Sequence, residues 1–204
     1  MNYRCLLLVL LAPWAQAQTT LSQDSSLSAH YTAEELDRLA VLVRFFDAYV
    51  VRQTGENELQ QAYQSFNRHQ AAAKEIALAL PLDTVRTMFA QVSLPVWNSI
   101  WQYGSSDTYR PRDSVRLVVP HLDLKLHGKF WQFLLALSKT DEQIRRYTKT
   151  IQLAGSLAPS LYGLYFDQFY AYPVDFTRAA NRLVAAVHYL TFHVQVMEDI
   201  LVKG

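Results

Sequence analysis

The chain has 204 residues, 50% of them hydrophobic and 18% charged, with a formal net charge of +1. That is enough apolar material for one domain with a substantial core. Near-neutrality argues against nucleic acid or an anionic membrane surface as partner, since both need a basic excess. The only cysteine is Cys5, which excludes cysteine-ligated zinc, haem attachment through Cys-x-x-Cys-His and an internal disulfide framework.

Residues 1–17, MNYRCLLLVLLAPWAQA, have the pattern of a signal peptide. Arg4 supplies a short positive start, Cys5 to Ala12 an apolar run too short for a mature span, and Ala15 and Ala17 the small residues of a cleavage site. No cysteine follows the apolar run, as a lipoprotein would require. Cleavage before Gln18 would leave 187 residues, and losing Arg4 would balance 18 basic against 18 acidic side chains. No later apolar run reaches the length of a membrane span. The expectation is export to the periplasm or the exterior as a soluble protein, with packing alone stabilising it.

Residues 18–30, QTTLSQDSSLSAH, are polar and rich in Ser and Thr, and read as a flexible leader ahead of one helical domain over 31–204. Thr32 and Glu35 have capping-box spacing and open a helix to about Arg52. Leu36, Leu39, Ala40, Val43, Phe46 and Val50 form its core stripe, leaving a thin polar stripe of Glu34, Asp37, Arg44 and Asp47. So thin a stripe predicts a helix largely surrounded by others. After Gly55 a second helix is expected from about Glu56 to Leu80, ended by Pro81. A third follows, with Asp83 as cap and a break at Pro95. Residues 104–114, GSSDTYRPRDS, are the longest stretch without periodicity and read as a loop.

The stretch VVPHLDLKLHGKFWQF, residues 118–133, carries two competing patterns. Leu122, Leu124 and Leu126 alternate with polar residues as in a strand, but the parity of the alternation switches at Val118-Val119. Val115, Val118, Val119, Leu122, Leu126, Phe130, Phe133, Leu134 and Leu137 also fit helical spacing. With helical neighbours on both sides, the expectation is a helix from about Pro120 to Lys139, with residues 114–119 extended. Thr140 to Gln143 start a further helix closed by Gly155. SLAPSLYGLYFDQFYAY reads as a short aromatic helix, and Asp175 caps a final helix to about Val202. On that last helix Leu183, Val187, Leu190 and Val194 face the core, while Asn181, Arg182, His188 and Gln195 lie opposite. The fold class is all-α: a single-domain bundle of six or seven helices.

Three groups of residues are candidate sites. On a helix Asp123 and His127 form an i, i+4 pair, in which the carboxylate orients the imidazole for acid–base work or metal binding; the plainer reading is a mutually satisfied buried pair. His193 and Glu198 are possible further metal ligands, but they diverge by about 140° around a helix, so no metal site is assigned. Tyr170 and Tyr172 beside Pro173 offer an exposed aromatic surface, and Tyr109, Arg110 and Arg112 an anion clamp in the long loop. Core packing and a solvated loop neutralised by Asp107 and Asp113 are the plain alternatives. No nucleophile motif, phosphate loop or His-Glu-x-x-His signature occurs, and nothing names a cofactor. The sequence therefore points to a non-catalytic binding domain for a protein or small-molecule ligand. The alternative is a metal-binding or acid–base bundle built on Asp123 and His127.

Overall fold

The computed structural model describes residues 20–73, 78–110, 115–157 and 174–203. The segment 1–17 and the aromatic stretch 158–173 lie outside the described residues. In chain order the elements are a 3-10 turn (Leu21–Gln23), α1 (Ser25–Ser28), α2 (Ala33–Thr54), α3 (Leu59–Ala73), α4 (Leu82–Phe89) and α5 (Leu94–Ile100). They continue with β1 (Trp101–Arg110), β2 (Val115–Leu124), α6 (Lys129–Leu137), α7 (Glu142–Ala154) and α8 (Ala179–Lys203). The protein is a mostly helical bundle with one two-stranded sheet among the described residues.

Local signals set several boundaries as read from sequence. Thr32 Oγ1 accepts from the Glu35 amide, and the Thr32 amide donates to Glu35 Oε2, so α2 begins on a capping box. Gly55 and Gly155 end α2 and α7 at φ +71° and +76°, in the left-handed region where a Cβ is penalised. Asp141 caps α7 by accepting from the Gln143 and Ile144 amides. The interruption expected at Pro95 is present: α4 ends at Phe89 and α5 begins at Leu94, with Pro95 in its first turn, where its missing N–H costs nothing.

The polar leader is not a free tail from Thr20 onward. Leu27 is fully buried and Leu21 nearly so. Asp24 accepts from the Ser26 amide with one oxygen and from the Ala180 amide with the other, capping both α1 and the first turn of α8. Reading 18–30 by composition missed that two leucines and one well-placed carboxylate are enough to anchor it.

The last helix is not amphipathic in effect. Every residue of α8 from Ala179 to Gln195 is buried, with α2, α4 and β2 packed against it. Several of its polar side chains find partners inside the bundle instead of in water. Asn181 Nδ2 donates to the Asp175 carbonyl at 2.9 Å, and Thr191 Oγ1 accepts from Trp101 Nε1 at 2.8 Å.

The expected helix from Pro120 to Lys139 is the main correction. Residues 115–124 form β2, which pairs antiparallel with β1 in unbroken register from Trp101↔Leu124 to Arg110↔Val115. The loop expected at 104–114 is therefore strand up to Arg110. A turn over Lys125–Gly128 then leads into the shorter α6. The parity objection fails because, among the described side chains, the hairpin is buried at its base and exposed farther along β2. Trp101, Leu122 and Leu124 are in the core, whereas Val118 is 67% exposed and Pro120 is exposed. Alternation is enforced only where one face meets a core. Gly128 permits the turn: a Cβ there would lie 2.4 Å from the Ser99 carbonyl oxygen.

Candidate functional site

The hairpin separates Asp123 from His127. Asp123 is buried, and its Oδ1 accepts from its neighbour Leu124 at 2.7 Å and from the Leu157 amide at 3.0 Å. It is a staple between the end of β2 and the segment after α7. His127 is exposed on the turn. Without a helix there is no i, i+4 geometry, and the carboxylate already holds two amide donors. Tyr109 and Arg110 pair with Arg116 and Val115 near the far end of the hairpin, and their side chains lie outside the described set. Arg112, Tyr170 and Tyr172 lie outside the described residues altogether.

His121, rather than His127, is the histidine of this stretch that meets other ionisable groups. It stands on β2 over Gly104, with Glu198 of α8 near enough to feel its charge. Arg86 of α4 reaches the same carboxylate at 3.9 Å. Burial pushes the Glu198 carboxyl above its ordinary range, while Arg86 and His121 pull it back. Tyr103 of β1 is also raised, first by burial and then by Glu198. This cluster joins α4, the hairpin and α8 electrostatically. Among the described residues no three His, Cys, Asp or Glu side chains are placed to hold a metal ion.

A second polar group lies in the core itself. Asp47, read from sequence as part of a wet stripe, is buried and accepts from the Tyr63 hydroxyl at 2.7 Å, with Arg182 Nε 3.8 Å away. Desolvation raises its carboxyl to about 6 against the opposing pull of Arg182 and Tyr63. Tyr189 donates to Asn67 at 2.6 Å. His188 is fully buried with Nδ1 3.3 Å from the Tyr147 hydroxyl, and burial pushes its imidazole down to about 3. His193 is also buried; its Nδ1 accepts from the Leu78 amide at 3.2 Å, and burial lowers its basicity. Buried among the described residues, these groups tie α2, α3, α7 and α8 together.

Among the described residues an accessible concavity lies elsewhere, between α2 and α4. It is a groove of about 520 Å³ lined by Phe45, Ala48, Tyr49 and Arg52 from α2, by Leu80, and by one flank of α4. Asp83, Thr84, Thr87 and Met88 form that flank, with Gln91 just past its end. The α2 residues fall at i, i+3, i+4 and i+7, so one stripe lines one wall. It is a second apolar stripe, roughly opposite the Leu36–Leu39–Val43–Phe46 core stripe. Tyr49 is fixed by the Ala79 amide, which donates to its hydroxyl at 3.0 Å. The Arg52 guanidinium carbon lies 5.8 Å from the centroid of the Tyr49 ring. Arg86 reaches both Asp83 on the groove flank and Glu198 at 3.9 Å, so the groove and the His121 cluster adjoin along one short helix. The sequence signal for the groove was the thinness of the polar stripe on α2. It implied a covered helix, but one side is left as an open cleft.

No protein-family model, curated protein or solved structure matches this chain. Among the described residues no helix is long and apolar enough to cross a membrane.

Proposed function

We propose that this is an exported, non-catalytic binding protein that holds a small apolar ligand in the groove between α2 and α4. The groove itself carries this reading: its volume lies within the range of small-molecule sites, about 300 to 1,000 Å³. Its walls combine apolar surface from Phe45, Ala48, Tyr49, Leu80 and Met88 with a few polar groups at the margin, the usual composition of such sites. Export is supported by the charge, apolar run and small-residue ending of residues 1–17. No observation favours the acid–base or metal-binding alternative at Asp123 and His127, given the separate places of the two side chains.

The test is titration of the neutral dye N-phenyl-1-naphthylamine, which brightens on entering an apolar site, into wild type, Ala48→Trp and Thr84→Trp. Ala48 and Thr84 are both exposed on facing walls, so an indole at either position fills the cleft without entering the core. The expected result is saturable binding to wild type that both variants lose while keeping their circular dichroism and melting temperature. Equal binding by all three proteins would remove the groove as the site.

A further inference from the structure

We infer that the groove selects, among small apolar molecules, those with a single negative charge at one end, and that Arg52 reads that charge. This rests on the groove being the binding site and adds the ligand's chemical class. The lining contributes two full charges, Arg52 and Asp83. Asp83 is already engaged with Arg86 at 3.9 Å and projects into solvent, its side chain 94% exposed. Arg52 has no carboxylate within ion-pair distance among the described residues and lies over the Tyr49 ring. A guanidinium lying over an aromatic wall keeps its N–H fork free for an oxyanion, and the same wall accepts the adjoining apolar chain.

The end of a helix ordinarily repels anions through its free carbonyls. Here the last turn of α2 is partly satisfied: the Val51 carbonyl accepts from the Gly55 amide at 2.8 Å and the Val50 carbonyl from the Thr54 hydroxyl at 2.9 Å. The positive side chain therefore dominates locally. The occupant that fits is an alkyl or aryl carboxylate or sulfonate, with its body along Phe45, Ala48 and Met88 and its head at Arg52. A cationic amphiphile of the same length meets Arg52 with like charge and is disfavoured.

The experiment compares decanoate, decanol and decyltrimethylammonium as competitors for N-phenyl-1-naphthylamine on wild type, Arg52→Gln and Ala48→Trp. Decanoate should displace the dye at a concentration about fivefold below that of decanol, the size of one solvent-exposed ion pair, with the ammonium weakest. In Arg52→Gln the decanoate-to-decanol ratio should fall to about one. Two results would overturn the inference while leaving the groove intact: decanoate no better than decanol on wild type, or Arg52→Gln weakening both equally. Dye binding that survives Ala48→Trp would instead remove the groove, and the inference with it. Raising salt adds an internal check, since only the decanoate advantage should shrink.

Discussion

Acid stability should turn on His188. Its ring is fully buried, edge-on to Tyr189 and Phe192 at 5.1 and 4.7 Å, and burial lowers its pKa from 6.5 to about 3. Between those values the unfolded chain binds a proton that the folded protein refuses. Stability is therefore lost as pH falls through 6.5, and the loss continues toward pH 3, by about 1.4 kcal/mol per unit. From pH 7 to pH 4 the loss is about 3 kcal/mol, a large share of the 5 to 15 kcal/mol of a typical domain. Asp47 acts with the opposite sign. Its carboxyl is raised from 3.8 to about 6, so in that window the folded state holds the extra proton and stability rises as pH falls. Between pH 6 and 4 the two slopes nearly cancel. Replacing His188 by Gln removes one of them. Urea unfolding followed by tryptophan fluorescence at pH 7 and pH 4 gives the stability gap between wild type and His188→Gln. That gap should move by about 3 kcal/mol in favour of the variant on acidification. The same gap at both pH values would refute the assignment of His188 as a buried neutral imidazole.

Four further substitutions probe the fold. Asp123→Ala strips the acceptor from the Leu124 and Leu157 amides and should cost about 2 kcal/mol or more in urea unfolding. His127→Ala, on the exposed turn, should change stability by less than about 0.5 kcal/mol; equal losses would mean the two residues act as a pair. Gly128→Ala drives a methyl against the Ser99 and Lys125 carbonyls, 2.4 and 2.9 Å from the ideal Cβ, and should destabilise by about 1 to 3 kcal/mol. Leu27→Ala should lower stability by about 2 to 4 kcal/mol if the segment after Thr20 belongs to the core, and a melting temperature equal to wild type would return that segment to the status of a leader.

The parts of the fold that were legible in the sequence are those fixed within one helical turn. Thr32 with Glu35, Gly55, Asp141 and Gly155 each announce a helix end through a local hydrogen bond or a positive φ. What sequence reasoning missed depends on residues far apart. The hairpin pairs Trp101 with Leu124, and no window of local periodicity contains that partner. Leu122 and Leu126 seemed to continue the stripe of Phe130 and Leu134, because a strand end and a helix start can mimic one helix when the turn between them is short. Asp47, His188 and Gln195 looked like surface residues because each partner lies on another element. Gln195, for example, donates to the carbonyls of Leu122 and Leu157.

The candidate site was only half legible for a related reason. Phe45, Ala48, Tyr49 and Arg52 are visible as a second stripe on α2. Whether such a stripe is buried or open depends on where α4 settles, and that follows from its packing against α8, not from its own eight residues. The helix on which the Asp123–His127 pair was read is absent for the opposite reason. It was inferred from a period of 3.6 residues in a stretch whose first half has a period of two.

The groove is tested most directly by backbone-amide NMR of the protein during titration with N-phenyl-1-naphthylamine and with decanoate. Saturable shifts should concentrate at Phe45 to Arg52 and Leu80 to Gln91, with the decanoate shifts largest near Arg52 and little change along β1 and β2. Shifts centred on the hairpin, or on the His121–Glu198–Arg86 cluster, would contradict it.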